Sequence, residues 1–370
     1  MPRFLHTADW QIGRQFATFD PEHAVILAEA RTTAVERLAA LATEHQVQAV
    51  LVAGDVFDTQ TVSDRVIRRL FQAMAGFAGP WLMIPGNHDA ALTESVWTRA
   101  QRLGAVPPNA HLLLAPEVRV FADLGFAVLP APLTQRHTHG DLTEWFDLAP
   151  TPDGLLRIGL GHGSVQGILA EDIDSANPIA PDRPERARLD YLALGDWHGA
   201  KAISPRLWYS GTPEPDRFRN NDAGLALLVN IDAPGAEPVV QPLPVAQFTW
   251  HSVTAQLSVP TDVDAVVAQL AAFGRTDVVD LHLQGHTDWP GHQRLQAAIG
   301  QADAQTRHLQ ADLGELRMLP TDDDMAALQA DGYLGEVLAE LRQTLAQPAS
   351  ADDARLAEDA LALLATHLAD

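Results

Sequence analysis

LALGDWHGA, residues 192–200, is an apolar run that stops at a glycine and then offers Asp196 and His198 two positions apart. The same ending recurs along the chain: LHTAD stops at Asp9, LVAGD at Asp55, IPGNHD at Asn87 and His88, and GLGHG at His162. In four of these five, a glycine immediately precedes the polar residue, so the backbone can turn sharply and another group can approach closely. Apolar runs that end in acids, amides and imidazoles read as core strands delivering side chains to one place. In a mainly parallel sheet that place is the crevice at the carboxyl ends of the strands.

Short apolar runs alternate with helical patterns from residue 3 to about 230, which predicts an α/β domain. RFLHTAD reads as the first strand, VQAVLVAGD as the second and PWLMIPGNHD as the third. Asp20 before Pro21 reads as a helix cap, and Leu27, Ala34, Val35, Leu38, Leu41 and Ala42 then recur at helical spacing. VSDRVIRRLFQAMAGF predicts a second helix. After about residue 110 the runs shorten, as in FAVLPAP, LRIGLGHG, DYLALGDWH and AGLALLVNI, which predicts a second sheet packed on the first. Residues 231–247, rich in proline and alanine, read as a strand running into a linker. Beyond them, three strand patterns alternating with two helical ones predict a compact α+β unit. Two acidic helices follow, with Leu334, Val337, Leu338, Leu341 and Leu345 as an apolar stripe and Ser350 with Asp353 as a capping box. The expected fold class is α/β: a two-sheet sandwich flanked by helices, a smaller α+β capping domain and a C-terminal helical tail. The expected boundaries are 1–245, 246–320 and 321–370.

The 370 residues, 46% of them hydrophobic, suffice for one large core and a smaller second one. No apolar run approaches the ~18 residues of a membrane helix, and MPRFLHTADW lacks the long apolar stretch of a signal peptide, so the expected location is cytoplasmic, with no membrane partner. Zero cysteines exclude disulfides, thiolate zinc sites and cysteine nucleophiles, so any metal must be held by the 15 histidines and the carboxylates. A formal charge of −23 argues against a protein that coats nucleic acid electrostatically. That charge is uneven: residues 321–370 carry 11 acidic against 2 basic side chains, whereas 183–219 carry 7 basic against 5 acidic.

Two divalent ions ~3.5 to 4 Å apart require a shared carboxylate with oxygen and imidazole donors on both sides, which clamp the attacking and leaving oxygens of a phosphoryl transfer. Asp9, Asp55, Asn87, His162, Asp196 and His198 supply those donors. One such fragment means little, since glycine-acid pieces arise often by chance. Five in order at successive strand ends are specific.

The order of these motifs resembles the calcineurin-like metallophosphoesterases, and the longer match resembles the SbcD-type nuclease subunits within that family. HTADWQIGR, VQAVLVAGDVFDTQ, MIPGNHD, GHGSVQG, DYLALGDWHGAKAI, WYSGTPEPDRF and GYLGEVLAELR carry it, over essentially the whole chain. The resemblance implies that Asp9, Gln11, Asp55 and His198 hold one ion and that Asp55, Asn87, His162 and Asp196 hold the other, with Asp55 bridging. It implies that His88 contacts the scissile phosphate and assists catalysis, and that Arg14, Tyr209 and Arg217 touch substrate. The implied reaction is hydrolysis of DNA phosphodiester bonds by a two-metal-activated hydroxide. The implied partners are single-stranded DNA or duplex ends, an SbcC-like coiled-coil ATPase docked on the tail, and a second copy of the chain. The family usually has histidine at positions 11 and 196. Gln11 and Asp196 make this site richer in hard oxygen donors, which favours Mn²⁺, or else Mg²⁺, over metals of softer sites. Gln11 is a poor ligand, so its ion is expected to be loosely held.

Two other readings stand beside this one: a phosphatase or phosphodiesterase for small or protein substrates, and a catalytically weakened scaffold subunit of an SbcC-like complex. Asp58 reads as a capping or orienting residue, and HTDWPGH (286–292) and HTH (137–139) as solvated loops despite their metal-like composition.

Overall fold

The structure, a computed structural model, describes residues 2–167, 177–318 and 333–369. They form two compact units, Met1–Thr249 and Trp250–Asp370.

The first unit contains two six-stranded sheets. In chain order its strands are β1 (Arg3–Thr7), β2 (Ala49–Ala53), β3 (Trp81–Ile84), β4 (Ala110–Leu112), β5 (Arg119–Phe121), β6 (Phe126–Ala131), β7 (Leu156–His162), β8 (Ser164–Val165), β9 (Pro178–Ile179), β10 (Tyr191–Gly195), β11 (Lys201–Ser204), β12 (Leu207–Tyr209), β13 (Leu225–Asn230) and β14 (Val239–Pro244). One sheet has the order β14-β13-β1-β2-β3-β4 and the other β11-β12-β10-β7-β6-β5. β1 through β4 run parallel, as do β6, β7, β10 and β12.

Side-chain alternation explains the layering. All five residues of β2 are buried. Val50 and Val52 point to a layer that includes Val35 and Leu38, while Ala49, Leu51 and Ala53 join Val128, Ile158, Leu160 and Ala193 between the sheets. The outer layer is built by α1 (Pro21–Glu44), α2 (Asp64–Ala73) and α3 (Val96–Arg102). α1 begins where Asp20-Pro21 predicts, yet the Asp20 side chain makes no capping bond, so proline at the first position sets the start. Ser95 caps α3 in a reciprocal box with Thr98, a start that apolar spacing does not signal.

Residues 239–244, expected to be entering a linker, instead pair antiparallel with β13 along its whole length. Pro242 and Pro244 are tolerated because β14 is an edge strand, where a missing N–H breaks no second ladder.

The second unit holds a three-stranded sheet of β15 (Thr249–Leu257), β16 (Asp277–Thr287) and β17 (His308–Met318). α5 (Pro260–Ala271) and α6 (Trp289–Gln305) share its core through Val263, Val266, Leu270 and Leu295; the four-residue turn Arg183–Arg186 is α4. Asp288 caps α6 by accepting from Gly291 N at 2.8 Å, as Asp288-Trp289-Pro290 predicts. His286 and Thr287, expected in a loop, instead close β16, because the sheet continues to pair through Thr287 with Met318. The acidic stretch 321–332 and the expected boundary at 320 lie outside the described residues. After it, α7 (Tyr333–Ala346) and α8 (Ala351–Ala369) pack on each other through Leu338, Leu341, Leu345, Leu361 and Leu364. Ser350 starts α8, its hydroxyl accepting from Asp353 N at 3.1 Å.

Candidate metal centre

The carboxyl ends of β1, β2, β3, β7 and β10 carry Asp9, Asp55, Asn87, His162 and Asp196 into one pocket. Ligand atoms of Asp9, Asp55 and His162, all buried, lie within 4.8 Å of one another. His162 Nε2 is 3.6 Å from Asp55 Oδ1 and 3.7 Å from Asp196 Oδ1. Asp196 N donates to Asp9 Oδ1 at 3.1 Å, which joins the two sheets across the site.

The loops that carry these groups are tightly constrained. Asp9, Gln11, Asp55 and Asp196 all have positive φ, at 55°, 44°, 52° and 100°. Left-handed backbone costs a non-glycine residue ~1 kcal/mol or more, and it persists where surrounding bonds over-determine it. Here Asp9 N, Gln11 N and Ile12 N donate to Gly54, Asp55 and Val56 carbonyls at 2.9–3.1 Å, continuing the β1–β2 ladder past both strand ends. Gly86 shows how closely the loops approach: a Cβ there would sit 2.1 Å from Asp55 Oδ1.

Three histidines present Nε2 inward because each Nδ1 is held from behind. His162 Nδ1 donates to Ala53 O at 2.7 Å, His88 Nδ1 to Asp58 O at 2.8 Å and His198 Nδ1 to Asp216 Oδ1 at 3.1 Å. Such partners fix the tautomer and raise ligand basicity. Asp58 thus orients His88 through its main chain, while its carboxylate pairs with Arg14 at 3.5 Å. His88, 30% exposed, stands at the rim with Nε2 3.9 Å from Asp55 Oδ2.

The Asn87 amide tests whether a cation fits. One of its faces lies 3.0 Å from His162 Nε2 and 3.0 and 3.1 Å from the two carboxylate oxygens of Asp55. With nitrogen on that face the amide donates to all three. With oxygen there, His162 Nε2, the amide oxygen and both Asp55 oxygens converge, an arrangement that a proton on His162 Nε2 or a bound cation makes favourable.

Charge points the same way. Burial pushes the Asp9 and Asp196 carboxyls up from the ordinary range. Burial opposes charge on His162, yet Asp55, Asp9 and Asp196 outweigh it and carry its pKa up to about 9. The pocket therefore holds a proton where a metal's charge would serve.

Several residues that shape the site are not at strand ends and escape sequence reasoning. Asp89 accepts from Val56 N, Phe57 N and Gly86 N at 2.9, 3.1 and 2.7 Å, tying the Asp55 loop to the Asn87 loop. Asp216 also binds Arg217 and is held well below the usual carboxylate range, against the effect of its burial, by His198 and then Arg217. Arg31, on α1 and 1% exposed, donates to the carbonyls of Asp9, Trp10 and Glu214. The available signal is a second acid inside a motif, as in GNHD and PEPD.

Two expected roles look different in place. Tyr209 is wholly buried, with its hydroxyl donating to Gly163 O and accepting from Val165 N. It braces the turn after His162 and cannot touch substrate. Gln11 turns its amide nitrogen to His198 Nε2 at 3.3 Å, and its oxygen accepts from Arg14 at 2.9 Å. Arg14 and Arg217 do reach the rim, where Asp216 anchors both.

The sequence pattern of the Calcineurin-like phosphoesterase family matches residues 2–230. The chain belongs to this family. As a member it is a hydrolase of phosphoester bonds that uses divalent metal ions, and the residues described above fit such ions. The D subunit of the nuclease SbcCD of Escherichia coli K12 is 28% identical over 312 residues, covering 70% of this chain and 74% of that one. Its namesake in Rhodobacter capsulatus is 42% identical over 96 residues, 24% of this chain and 22% of that one. A solved structure, TT1561 of Thermus thermophilus, aligns with 66% of this chain and 99% of its own length, at 13% identity and a TM-score of 0.43.

Proposed function

We propose that this phosphoesterase cleaves DNA phosphodiester bonds as the nuclease subunit of a cytoplasmic SbcCD-like complex. The observation that supports the reading is the similarity to the D subunit of the nuclease SbcCD, which covers 70% of this chain and 74% of that one. In this reading Asp9, Asp55, His198 and Gln11 hold one divalent ion and Asp55, Asn87, His162 and Asp196 the other. Gln11 must turn its oxygen away from Arg14 to do so. Bound divalent ions supply Lewis-acid charge and a water acidic enough to be a nucleophile at neutral pH. The oxygen-rich donor set favours Mn²⁺ or Mg²⁺.

The chain's own residues do the rest. His88, with Nδ1 donating to Asp58 O, can act when Nε2 also carries a proton, donating that proton to a phosphoryl oxygen or leaving group at the rim. Arg14 and Arg217, fixed by Asp216, place positive charge beside the scissile group. A protein with 25 basic against 48 acidic side chains needs a partner for most of its DNA affinity, and residues 321–370 are the proposed docking tail for a coiled-coil ATPase.

Assays with Mn²⁺ on single-stranded and duplex DNA, beside bis(p-nitrophenyl) phosphate and p-nitrophenyl phosphate, test the reading. DNA and diester cleavage that His88→Ala abolishes is the expected result. Monoester turnover without DNA cleavage overturns it in favour of a phosphatase. The Gln11 amide oxygen, occupied by Arg14, favours a second reading as a weakened scaffold; in that case Asp55→Ala leaves the cellular repair phenotype unchanged.

A further inference from the structure

Beside the metal centre, an open groove of about 390 Å³ is lined by His88 and Asn87 together with Asp58, Thr59, Leu92 and Arg136. Its volume falls in the range of small-ligand sites and exceeds what a lone phosphoryl group needs. Asn87 and His88 belong to the site already described. Arg136 brings a cation to this lining in a protein of net charge −23, and its guanidinium makes no hydrogen bond or ion pair among the described residues. The other arginines at this rim are engaged: Arg14 and Arg217 both pair with Asp216.

Arg136 is exposed, but its backbone is firmly held. Its carbonyl accepts from Asn177 Nδ2 at 3.2 Å, and Asn177 Oδ1 accepts from Thr138 N and Thr138 Oγ1 at 2.8 and 3.1 Å. Asn177 O in turn accepts from Ser164 N, two residues beyond His162. On the other side Leu133 O accepts from Ala91 N at 2.8 Å, which ties this loop to the one bearing Asn87 and His88. The HTH motif at 137–139 thus has a function in its middle residue: Thr138, 7% exposed, anchors the turn that presents Arg136. A guanidinium on an anchored backbone, lining a nucleotide-sized groove, is suited to bidentate capture of a phosphate. The half-exposed Leu92 and buried Ala90 give the lining an apolar part against which a sugar or base can lie.

We propose that this groove is a subsite for the nucleotide next to the scissile bond, with Arg136 gripping that nucleotide's non-scissile phosphate. The inference rests on the nuclease reading and adds a specificity to it. A substrate with a second phosphate gains a contact that a simple diester lacks.

The test compares full-length protein with Arg136→Ala and Arg136→Lys on a single-stranded oligonucleotide and on bis(p-nitrophenyl) phosphate, both with Mn²⁺. Arg136→Ala is expected to lower kcat/KM on the oligonucleotide roughly tenfold, through KM, with Arg136→Lys recovering part of the loss. The salt dependence of oligonucleotide turnover is expected to flatten by about one phosphate contact. Turnover of bis(p-nitrophenyl) phosphate stays at the wild-type level. Equal losses on both substrates, or none on the oligonucleotide, overturn the subsite while leaving the nuclease intact. Wild-type protein that cleaves only bis(p-nitrophenyl) phosphate overturns the nuclease reading and the subsite with it.

Discussion

His198 can ligate a metal through Nε2 only while its Nδ1 keeps a proton, and Asp216 is the acceptor that holds that proton in place. Asn at 216 can still occupy the volume but offers no full charge, and losing such a partner typically costs 10- to 100-fold in metal affinity. Asp216→Asn is therefore expected to weaken Mn²⁺ binding in calorimetry by at least about tenfold with the fold intact. Unchanged affinity would remove His198 from the ligand set. Gln11 works in the opposite direction: its amide nitrogen contacts His198 and its oxygen is occupied by Arg14, so the protein must break a bond to recruit it. Gln11→His replaces that amide with a stronger donor, and the Mn²⁺ concentration for half-maximal diesterase activity is expected to fall by roughly tenfold. At this scale the sequence displays donors well and their supports poorly. Asp9, Asp55 and His162 announce themselves by ending apolar runs. Asp216, Asp89 and Arg31 take their roles from contacts 18 to 183 residues away along the chain, which no local spacing encodes.

Strand ends position the site because the turns that follow them are too tight for ordinary backbone. Gly86 shows how tight. Its Cα faces Asp55 so closely that an added methyl would overlap Asp55 Oδ1 and sit 2.4 Å from Asp55 N, so one of the two loops must move. The contact is with backbone as well as side chain and cannot be relieved by a rotamer change. Gly86→Ala is expected to destabilise the protein by ~1 to 3 kcal/mol and to lower Mn²⁺ affinity, measured by thermal melting and calorimetry. A variant that melts lower but binds Mn²⁺ as before would separate the turn from the site. The same period-2 logic makes most elements readable: β2 splits its apolar residues between two layers, and α1 follows from Leu27, Ala34, Val35 and Leu38. β14 is hidden because its prolines look like a linker until an edge position is known. α3 is hidden because seven residues are too few for a periodicity to establish itself.

Over the whole molecule, acid outnumbers base by 23, and the metal pocket concentrates that imbalance in the buried carboxylates of Asp9 and Asp55 and the partly exposed one of Asp196. In the metal-free fold, protons on His162 and Asp9 offset part of that charge. His162 has a folded-state pKa of about 9 against an ordinary 6.5, so the stability it contributes is complete below about pH 6.5 and is lost as pH rises through 9. Asp9, raised to about 6 from 3.8 chiefly by burial, also favours its protonated form in the fold, so its contribution likewise disappears as pH rises through 6. Both groups therefore weaken the metal-free protein in the same direction between mildly acidic and alkaline pH. A divalent ion supplies the missing charge only after displacing the His162 proton, so its binding releases protons and tightens as pH rises. The gap in Tm between Mn²⁺-loaded and chelator-treated protein is thus expected to widen by several degrees from about pH 6 to about pH 8.5. His162→Asn removes the competing proton together with a ligand, and the gap in that variant is expected to be small and nearly flat across the same range. Should the wild-type gap shrink as pH rises, proton and metal would not be competing for one pocket, and the convergence of Asp9, Asp55 and His162 would need another explanation.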